Sequence, residues 1–403
     1  MMKVKLMSIL SIFFGALLVS FYFGAFYFNI GFALKPFMIV TMVGSILFFE
    51  YIRCRRLLKF EFLMLLFVVV YSFTALMFNY PAEHIRHIIL SFIIMFFYFS
   101  IRGLIFNMEI KSIEKIISRM GMIGTVASLL YYIAGLLYTR MNFTGNNIIY
   151  FGVLIDRSIP RLIGTVSRDP NIYAFFLTLY FIFTLSRFDS KENKIGCFLS
   201  GLSIILTFSR GAYVSFLIAI IMLYFVDFNI KKKLRSMVYV IIATFIAIYI
   251  SKMLSFNIVD IIIGRFSNMF KDGGSGRNIL WANAIETFKN NPIYGIGINS
   301  TREYGLKNYN DGHYVHNTIL EVLSESGLIG FFFYALLWTA IFYYSYKLYK
   351  TNKNTIFIFI TFIAMFLQMI FLSILYSEMF YFIVIILCRY YYEYIIDNNK
   401  SRI

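Results

Sequence analysis

The sequence predicts an all-α polytopic membrane protein with about twelve transmembrane helices and a long helical exterior loop. Of the 403 residues, 60% are hydrophobic, and the mean hydropathy is +0.76. A soluble domain of this length could not bury so much apolar surface. Apolar runs of spanning length recur along the chain, and one long polar passage, residues 257–327, interrupts them. We therefore interpret residues 1–403 as a single integral membrane domain that carries this passage as a loop.

The predicted spans are apolar runs of about the length that crosses a bilayer. They lie near residues 6–28, 32–50, 60–78, 87–106, 118–138, 169–186, 195–208, 211–228, 236–256, 328–346, 355–376 and 378–396. The first run is too long for a signal-peptide core, so we expect it to remain as the first span. Ser209-Arg210-Gly211 separates the seventh run from the eighth, which predicts two helices that meet at a polar turn.

Basic residues between the spans predict the orientation of the chain. The net charge is +17, and much of it falls in four short loops, at 53–59, 187–194, 231–235 and 347–353. All four lie on one side if there are twelve spans, and the positive-inside rule makes that side cytoplasmic. Both termini are then cytoplasmic, and the loops 139–168 and 257–327 are exterior. Topology explains the positive charge, so we expect no nucleic-acid partner.

Arginines in the exterior loops oppose this topology rule, and an anionic ligand at the outer surface would explain them. Within the long loop, residues 278–288 predict a helix with Trp281 on one face. Residues 295–297 predict a tight glycine turn. Residues 316–326 predict a second helix, which we expect Gly327 to stop.

His316 is the sharpest candidate for catalysis. It follows His313 by three residues, so the two could share a helical face. An imidazole can take a proton near neutral pH, which suits a general base that acts on a sugar hydroxyl. The alternative is a polar cap at the membrane surface. Glu321 and Glu325, four residues apart, could orient His316 or form surface ion pairs.

Two arginines are candidates for binding phosphate. Arg210 lies between two apolar runs, where a charged side chain needs a partner or a function. Its guanidinium could grip two phosphate oxygens, and the alternative is a snorkelling side chain at a helix end. Arg277 follows Gly273, Gly274 and Gly276, which allow close approach to a ligand. A loop arginine is also commonly just solvated.

A further cluster precedes the sixth span, and its members are Arg161, Gly164, Arg168, Asp169, Pro170 and Asn171. Asp169 and Pro170 suit the cap and first turn of that helix, but this leaves Arg161 and Arg168 unexplained. The exterior loops contain no DxD-like carboxylate pair, and the chain has no HExxH, P-loop or G-x-S-x-G motif. We expect neither a metal nor a cofactor.

Taken together, these motifs resemble the O-antigen ligase and O-antigen polymerase superfamily of bacterial envelope glycosyltransferases. The passages that carry the resemblance are Arg161 to Asn171, Thr207 to Gly211, and Arg277 through Trp281, Asn291-Pro292, Gly295 and Gly297 to His316-Asn317, followed by Gly327 and Gly330. The resemblance covers about residues 160–330. It implies a GT-C-like, metal-independent enzyme that transfers a glycan from undecaprenyl diphosphate to an acceptor hydroxyl, at the outer face of the bacterial inner membrane.

The resemblance also implies a role for each candidate. His316 would activate the acceptor, and Arg210 and Arg277 would hold the diphosphate. Substrate-binding roles would fall to the remaining candidates, Arg161, Arg168, Asn171, Asn317 and Glu321. We favour a polymerase of lipid-linked repeat units, with a chain-length regulator and a repeat-unit flippase as possible partners. The alternatives are a ligase that transfers polymer to lipid A–core and a transporter or flippase for lipid-linked glycans.

The transporter predicts charge inside the spans. The predicted span interiors are nearly free of charge, which favours the enzyme.

Overall fold

The computed structural model describes residues 2–77, 79–226, 238–239, 241–242, 244–246, 248–249, 252, 258–267 and 276–398. The predicted span 236–256 falls largely outside the described residues. Gly273, Gly274 and the basic loop 231–235 lie wholly outside them.

Contacts divide the chain into two units. Unit 1 comprises Met1–Arg53, Leu104–Phe266 and Asn354–Met365, and unit 2 comprises Cys54–Gly103, Ser267–Lys353 and Phe366–Ile403. The prediction of one membrane domain stays a prediction.

Helices make up most of the described chain. In order they are α1 Met2–Tyr22, α2 Pro36–Leu47, α3 Lys59–Phe73, α4 Pro81–Ile105, α5 Ile110–Tyr138, α6 Pro170–Ser186, α7 Lys191–Leu206, α8 Arg210–Val226, α9 Ile258–Ser267, α10 Arg277–Asn290, α11 Thr301–Tyr309, α12 Thr318–Thr351, α13 Ile356–Met369 and α14 Glu378–Tyr391. Pro36, Pro81 and Pro170 each open a helix, a position where the missing N–H of proline removes no helical hydrogen bond.

Unit 1 is built around α5 and α6. Helix α5 packs against α1 and α7, and α6 packs against α5, α7 and α8. The predicted exterior loop 139–168 contains an antiparallel sheet of three strands, β3 Ile148–Tyr150, β4 Val153–Asp156 and β5 Ile159–Leu162. Isoleucine and valine in these three strands favour extended backbone. A short hairpin, β1 Phe28–Asn29 and β2 Ala33–Leu34, lies between α1 and α2. Because of these strands, the fold is mostly helical rather than all-α.

Unit 2 is built around α12, which packs against α3, α10 and α14. This helix runs for 34 residues and bends at Gly327, whose φ of 59° and ψ of −159° are not helical. The predicted end of a helix at Gly327 is therefore confirmed, because this residue breaks the helical backbone and a second helical stretch follows it. The break lies near the start of the predicted span 328–346.

Five described helices are long and apolar enough to cross a membrane: Lys59–Leu76, Pro81–Ile105, Ile110–Tyr138, Thr318–Thr351 and Glu378–Asp397. Shorter apolar helices cover Met7–Tyr22, Pro36–Leu47, Pro170–Ser186, Arg210–Phe225 and Lys353–Met369. These helices coincide with most of the predicted spans and agree with a multi-pass helical membrane protein. The count of twelve stays a prediction.

Candidate active site

In unit 1 the chain turns between α7 and α8 at residues 207–210, which we call the arginine turn. Phe208 adopts a φ of 49°, which is uncommon for a residue other than glycine, and it is fully buried. Ser209 caps α8, because its Oγ accepts a hydrogen bond from the Ala212 N–H at 3.3 Å. Arg210 is the first residue of α8 and is half-buried. The predicted polar turn between two helices is thus confirmed.

Arg161 of β5 ties the sheet to the arginine turn. Arg161 is only 8% exposed. The Nε atom donates to the Thr207 carbonyl at 3.0 Å, and Nη1 donates to the Asp156 carboxylate at 3.0 Å. Nη2 donates to Asn171 Oδ1 at 3.4 Å. These contacts give Arg161 a positioning role at the turn, whereas its predicted contact with a substrate stays a prediction.

Asn171 joins the same network from the start of α6. Its Oδ1 accepts a hydrogen bond from Ser209 Oγ at 2.6 Å, and its Nδ2 donates to Asp169 Oδ1 at 2.8 Å. Asp169 caps α6 by accepting from the Asn171 N–H at 2.7 Å, with Pro170 at the first helical position, as predicted. Arg168 is exposed just before this cap. The network therefore connects β5, α6 and the arginine turn.

In unit 2, His316 lies in a segment that we call the histidine segment, residues 315–318. Helix α12 begins at Thr318, and Asn317 is its cap, with Oδ1 accepting from the Ile319 and Leu320 N–H groups at 3.0 and 3.1 Å. His316 precedes the cap with a φ of 52° and is half-buried. The helix predicted at residues 316–326 is confirmed, but it begins two residues later than predicted, because Asn317 takes the cap in extended conformation.

The same start of α12 corrects a second expectation. His313 and His316 do not share a helical face, since both precede the helix. His313 is instead exposed, and its Nδ1 lies 2.5 Å from Asp311 Oδ1. This hydrogen bond with His313, together with one from its backbone N–H, holds the pKa of the Asp311 carboxyl below its usual range.

A loop that sequence analysis missed contacts the histidine segment. The predicted span 355–376 ends as helix α13 at Met369, and residues 370–377 are not helical. Ser373 Oγ accepts a hydrogen bond from the His316 backbone N–H at 3.0 Å. Thr318 Oγ1 donates to the Leu372 carbonyl at 2.5 Å and accepts from the Ile374 N–H at 3.1 Å. The polar residues Gln368, Ser373, Ser377 and Glu378, which interrupt the apolar run, were the available signal.

Arg277 is the first residue of α10 and follows Gly276, whose φ is 80°. The predicted helix at 278–288 is confirmed, with one added residue at its start and two at its end. Trp281 of this helix contacts Phe371, with 6.3 Å between the ring centroids. The loop 370–377 therefore touches both the helix that carries Arg277 and the segment that carries His316.

The backbone of the glycine turn at residues 295–297 packs directly against the backbone of α12 near Gly327. The N–H groups of Ile296 and Gly297 donate to the carbonyls of Ser324 and Glu325 at 3.1 and 2.9 Å. A Cβ at Gly295 would collide with the backbone of Glu325, and one at Gly327 would collide with the backbone of residues 293–294. Both glycines have positive φ, so the predicted turn is confirmed, and its partner is the bend in α12.

Glu321 and Glu325 are buried, with 9% and 1% exposure, so they do not form the surface ion pairs that were one expectation. Glu325 accepts hydrogen bonds from the Tyr71 hydroxyl, from the N–H groups of Asn299 and Thr301 at 2.8 and 3.2 Å, and from Thr301 Oγ1 at 2.9 Å. A buried carboxylate that accepts this many bonds fixes the start of α11 against α12.

The structure also contains a buried ion pair that sequence analysis missed. Glu61 of α3 and Arg102 of α4 are 0% and 3% exposed and are in direct contact. Tyr98 donates to Glu61 Oε1 at 2.6 Å, and Arg102 Nη2 donates to Glu61 Oε2 at 3.0 Å and to the Arg56 carbonyl at 3.0 Å. Glu61 lies at the start of the predicted span 60–78 and Arg102 near the end of the span 87–106, and the two charges persist there because they are paired.

Within the described part of the chain, no group of three or more His, Cys, Asp or Glu side chains is placed to hold a metal ion.

A family model described as O-antigen ligase (Wzy_C) matches residues 195–335. That range contains Arg210, Arg277 and His316 and excludes the Arg161 cluster. A search of curated proteins finds no match to the chain. Residues 195–335 are thus similar to the O-antigen ligase family, and this match supports the resemblance to the O-antigen ligase and polymerase superfamily that the motifs carry.

Proposed function

We propose that the chain polymerises oligosaccharide repeat units linked to undecaprenyl diphosphate into O-antigen or capsular polysaccharide, at the outer face of the inner membrane. In this reaction an acceptor hydroxyl attacks the anomeric carbon of the donor glycan. The new glycosidic C–O bond forms, the bond to the diphosphate breaks, and undecaprenyl diphosphate leaves with the electron pair. The match of residues 195–335 to the O-antigen ligase family model supports this type of chemistry.

The position of two arginines is the observation that carries the proposal. Arg210 and Arg277 are each the first residue of a helix, α8 and α10. The helix dipole disfavours a cation at that end by about 0.3–1 kcal/mol and favours an anion. The N–H groups at the start of a helix add to the attraction for phosphate. Each guanidinium can contact two phosphate oxygens, so we assign both arginines to the donor.

His316 is assigned as the general base that takes the proton of the acceptor hydroxyl. It is half-buried and precedes the cap of α12, so its ring is attached to backbone that Asn317 and Ser373 hold in place. A base on fixed backbone suits proton transfer, because the base must lie within about 3 Å of the hydroxyl.

The other candidates fall into two groups. Arg161, Asn171 and Asn317 position the turns through the contacts described above, and Glu321 is buried within the first turn of α12. Arg168 is exposed and remains our candidate for a secondary donor contact.

A ligase that transfers finished polymer to lipid A–core is the second candidate, because the matching family model is described as O-antigen ligase. Purified protein supplied with lipid-linked repeat units tests both. The polymerase elongates the units and releases undecaprenyl diphosphate without any further acceptor. The ligase releases it only when lipid A–core is added. A transporter releases none with either acceptor, and that result would overturn the proposal.

The proposed reaction uses no metal, because charge on the leaving diphosphate is balanced by guanidinium groups. Activity of the purified protein should therefore survive EDTA. Loss of activity on chelation, with recovery on addition of magnesium or manganese, would contradict this part of the proposal.

The proposed orientation places both termini in the cytoplasm and the loop 257–327 outside. A repeat-unit flippase would then supply the substrate, and a chain-length regulator would act on the product. Labelling of a single cysteine introduced at Asn308, an exposed residue after the start of α11, tests the orientation. A membrane-impermeant reagent should label it from the periplasmic side, and labelling only from the cytoplasmic side would overturn the orientation.

A further inference from the structure

We propose that Ser373 is a positioning residue for His316, a role that rests on the proposed function. Ser373 lies in the loop 370–377 between α13 and α14, 57 residues from His316 in sequence. It lies outside the residues 195–335 that match the O-antigen ligase family model. The proposal therefore adds a residue from the last part of the chain to the site.

The Ser373 hydroxyl joins two elements of unit 2. Its Oγ accepts the hydrogen bond from the His316 backbone N–H at 3.0 Å. The Ser373 side chain also lies near Glu321, one turn into α12. Ser373 thus connects the loop 370–377 to the residue that precedes the cap of α12.

A second pair of contacts keeps the loop in register with the histidine segment. Thr318 Oγ1 donates to the Leu372 carbonyl at 2.5 Å and accepts from the Ile374 N–H at 3.1 Å. Both neighbours of Ser373 are therefore fixed to the first residue of α12. The Ser373 hydroxyl is held opposite the His316 N–H by the backbone on either side.

The conformation of His316 explains why such a support is needed. Its φ of 52° lies in the left-handed region, which residues other than glycine rarely adopt. A backbone of this kind persists only where surrounding contacts over-determine it. Without the Ser373 hydroxyl, the His316 N–H loses its acceptor and the peptide can rotate. Rotation moves the imidazole, and a displacement of about 1 Å in a catalytic group can reduce a rate by about 10²-fold.

The test compares Ser373→Ala with two matched variants of the purified full chain. Ser373→Thr keeps the hydroxyl. Ser377→Ala removes a buried hydroxyl from the same loop, one that has no hydrogen-bond partner among the described residues. We expect Ser373→Ala to lower kcat by about 10- to 10²-fold with little change in the KM for donor. Ser373→Thr should retain most activity, and Ser377→Ala should resemble the wild type.

Two further measurements separate positioning from general destabilisation. In the His316→Ala background, Ser373→Ala should lower the residual rate no further, because the residue that it positions is gone. An equal loss in both backgrounds, or an unchanged kcat in Ser373→Ala, would overturn the proposal.

The other measurement does not depend on activity. The rate at which diethyl pyrocarbonate modifies His316, relative to His313, should change in Ser373→Ala and stay unchanged in Ser377→Ala. The modification rate of His316 could change in Ser373→Ala although the wild-type protein transfers no glycan. That result would refute the proposed function but would leave the contact between Ser373 and His316 supported. An unchanged modification rate would refute the positioning role itself.

Discussion

The arginine turn of unit 1 and the histidine segment of unit 2 share one local geometry and use it differently. In each, a residue with positive φ is followed by a helix cap and then by the first residue of a helix. Phe208 precedes Ser209 in the first, and His316 precedes Asn317 in the second. The left-handed residue is a fully buried phenylalanine in one case and a half-buried histidine in the other.

The difference lies in what holds the candidate residue. Arg210 follows its cap, so the helix itself sets the direction of its backbone. His316 precedes its cap, and the contact on its N–H comes from Ser373, far away in sequence. A residue inside a helix inherits its position from local structure, whereas one before the cap depends on tertiary contacts. We therefore expect His316 to be the more sensitive of the two to distant substitutions.

The largest expected effect in this comparison is that of His316→Ala. Removal of a general base should abolish chain growth, with a loss on the order of 10²–10⁴ in rate. Donor binding should persist, because the arginines are assigned to the diphosphate. Polymer length and released undecaprenyl diphosphate measure the first effect, and binding of labelled donor measures the second.

His313→Ala is the matched control for this variant, since it removes an exposed imidazole three residues away. It should lower the rate much less. Near-normal chain growth by a folded, membrane-inserted His316→Ala would show that the base lies elsewhere.

Arg210→Lys is expected to have the next largest effect. Lysine keeps the charge but cannot make a two-pronged contact with phosphate, so the rate should fall on the order of 10²–10³. Arg277→Ala should behave similarly. Arg119→Lys is a control in unit 1, because the Arg119 side chain is half-exposed and forms a surface ion pair with Glu192 at 3.7 Å. Full activity of Arg210→Lys at a normal protein level would remove Arg210 from the site.

Sequence reasoning succeeded where the signal was local. The cap at Asp169, the helix that begins at Arg277 and the glycine turn at Gly295 each follow from neighbouring residues. Each depends on steric limits or hydrogen bonds within a few positions, and such limits can be read without knowing the rest of the fold.

Sequence reasoning failed where distant residues meet. The second helix was predicted to begin at residue 316. In the structure Asn317 caps this helix, and Ser373, which is distant in sequence, hydrogen-bonds to the residue before the cap. It also missed the pairing of Glu61 with Arg102, which lie 41 residues apart on two helices. Hydropathy averages a span and conceals single polar residues, so a paired charge near the end of a span is easily overlooked.

Arg161→Met tests the arginine turn in the comparison with the histidine segment. The arginine turn is supported by the side chains of Arg161 and Asn171, whereas the histidine segment is supported by the loop 370–377. The substitution removes the bonds to Thr207, Asp156 and Asn171. The free energy of unfolding should fall by about 1.5–3 kcal/mol, the range for hydrogen bonds made by a charged group. Thermal unfolding in detergent measures this loss. Arg168→Met, which changes an exposed arginine seven residues later, should change stability little.

An Arg161→Met protein of unchanged stability but reduced donor affinity would contradict the positioning role. It would favour the contact with substrate that the resemblance implies.

The smallest expected effect concerns the two histidines and the pH dependence of the contact between Asp311 and His313. The hydrogen bond from His313 lowers the pKa of Asp311 in the folded protein, so folding favours the ionised carboxylate. A depressed carboxyl pKa contributes stability above the unfolded value, about 3.9, and this contribution is lost as pH falls through the folded pKa. Asp311→Asn should therefore lower the melting temperature slightly at pH 6, and the difference from wild type should shrink as the pH falls through the folded pKa of Asp311. The effect is small because the His313 side chain is 79% exposed, and water competes for the pair.

Chain growth at pH 7 should remain near the wild-type rate in Asp311→Asn, since the carboxylate contacts His313 and we assign catalysis to His316. A large loss of chain growth with normal stability would instead give the pair of Asp311 and His313 a place in the reaction, and the distinction drawn between the two histidines would fail.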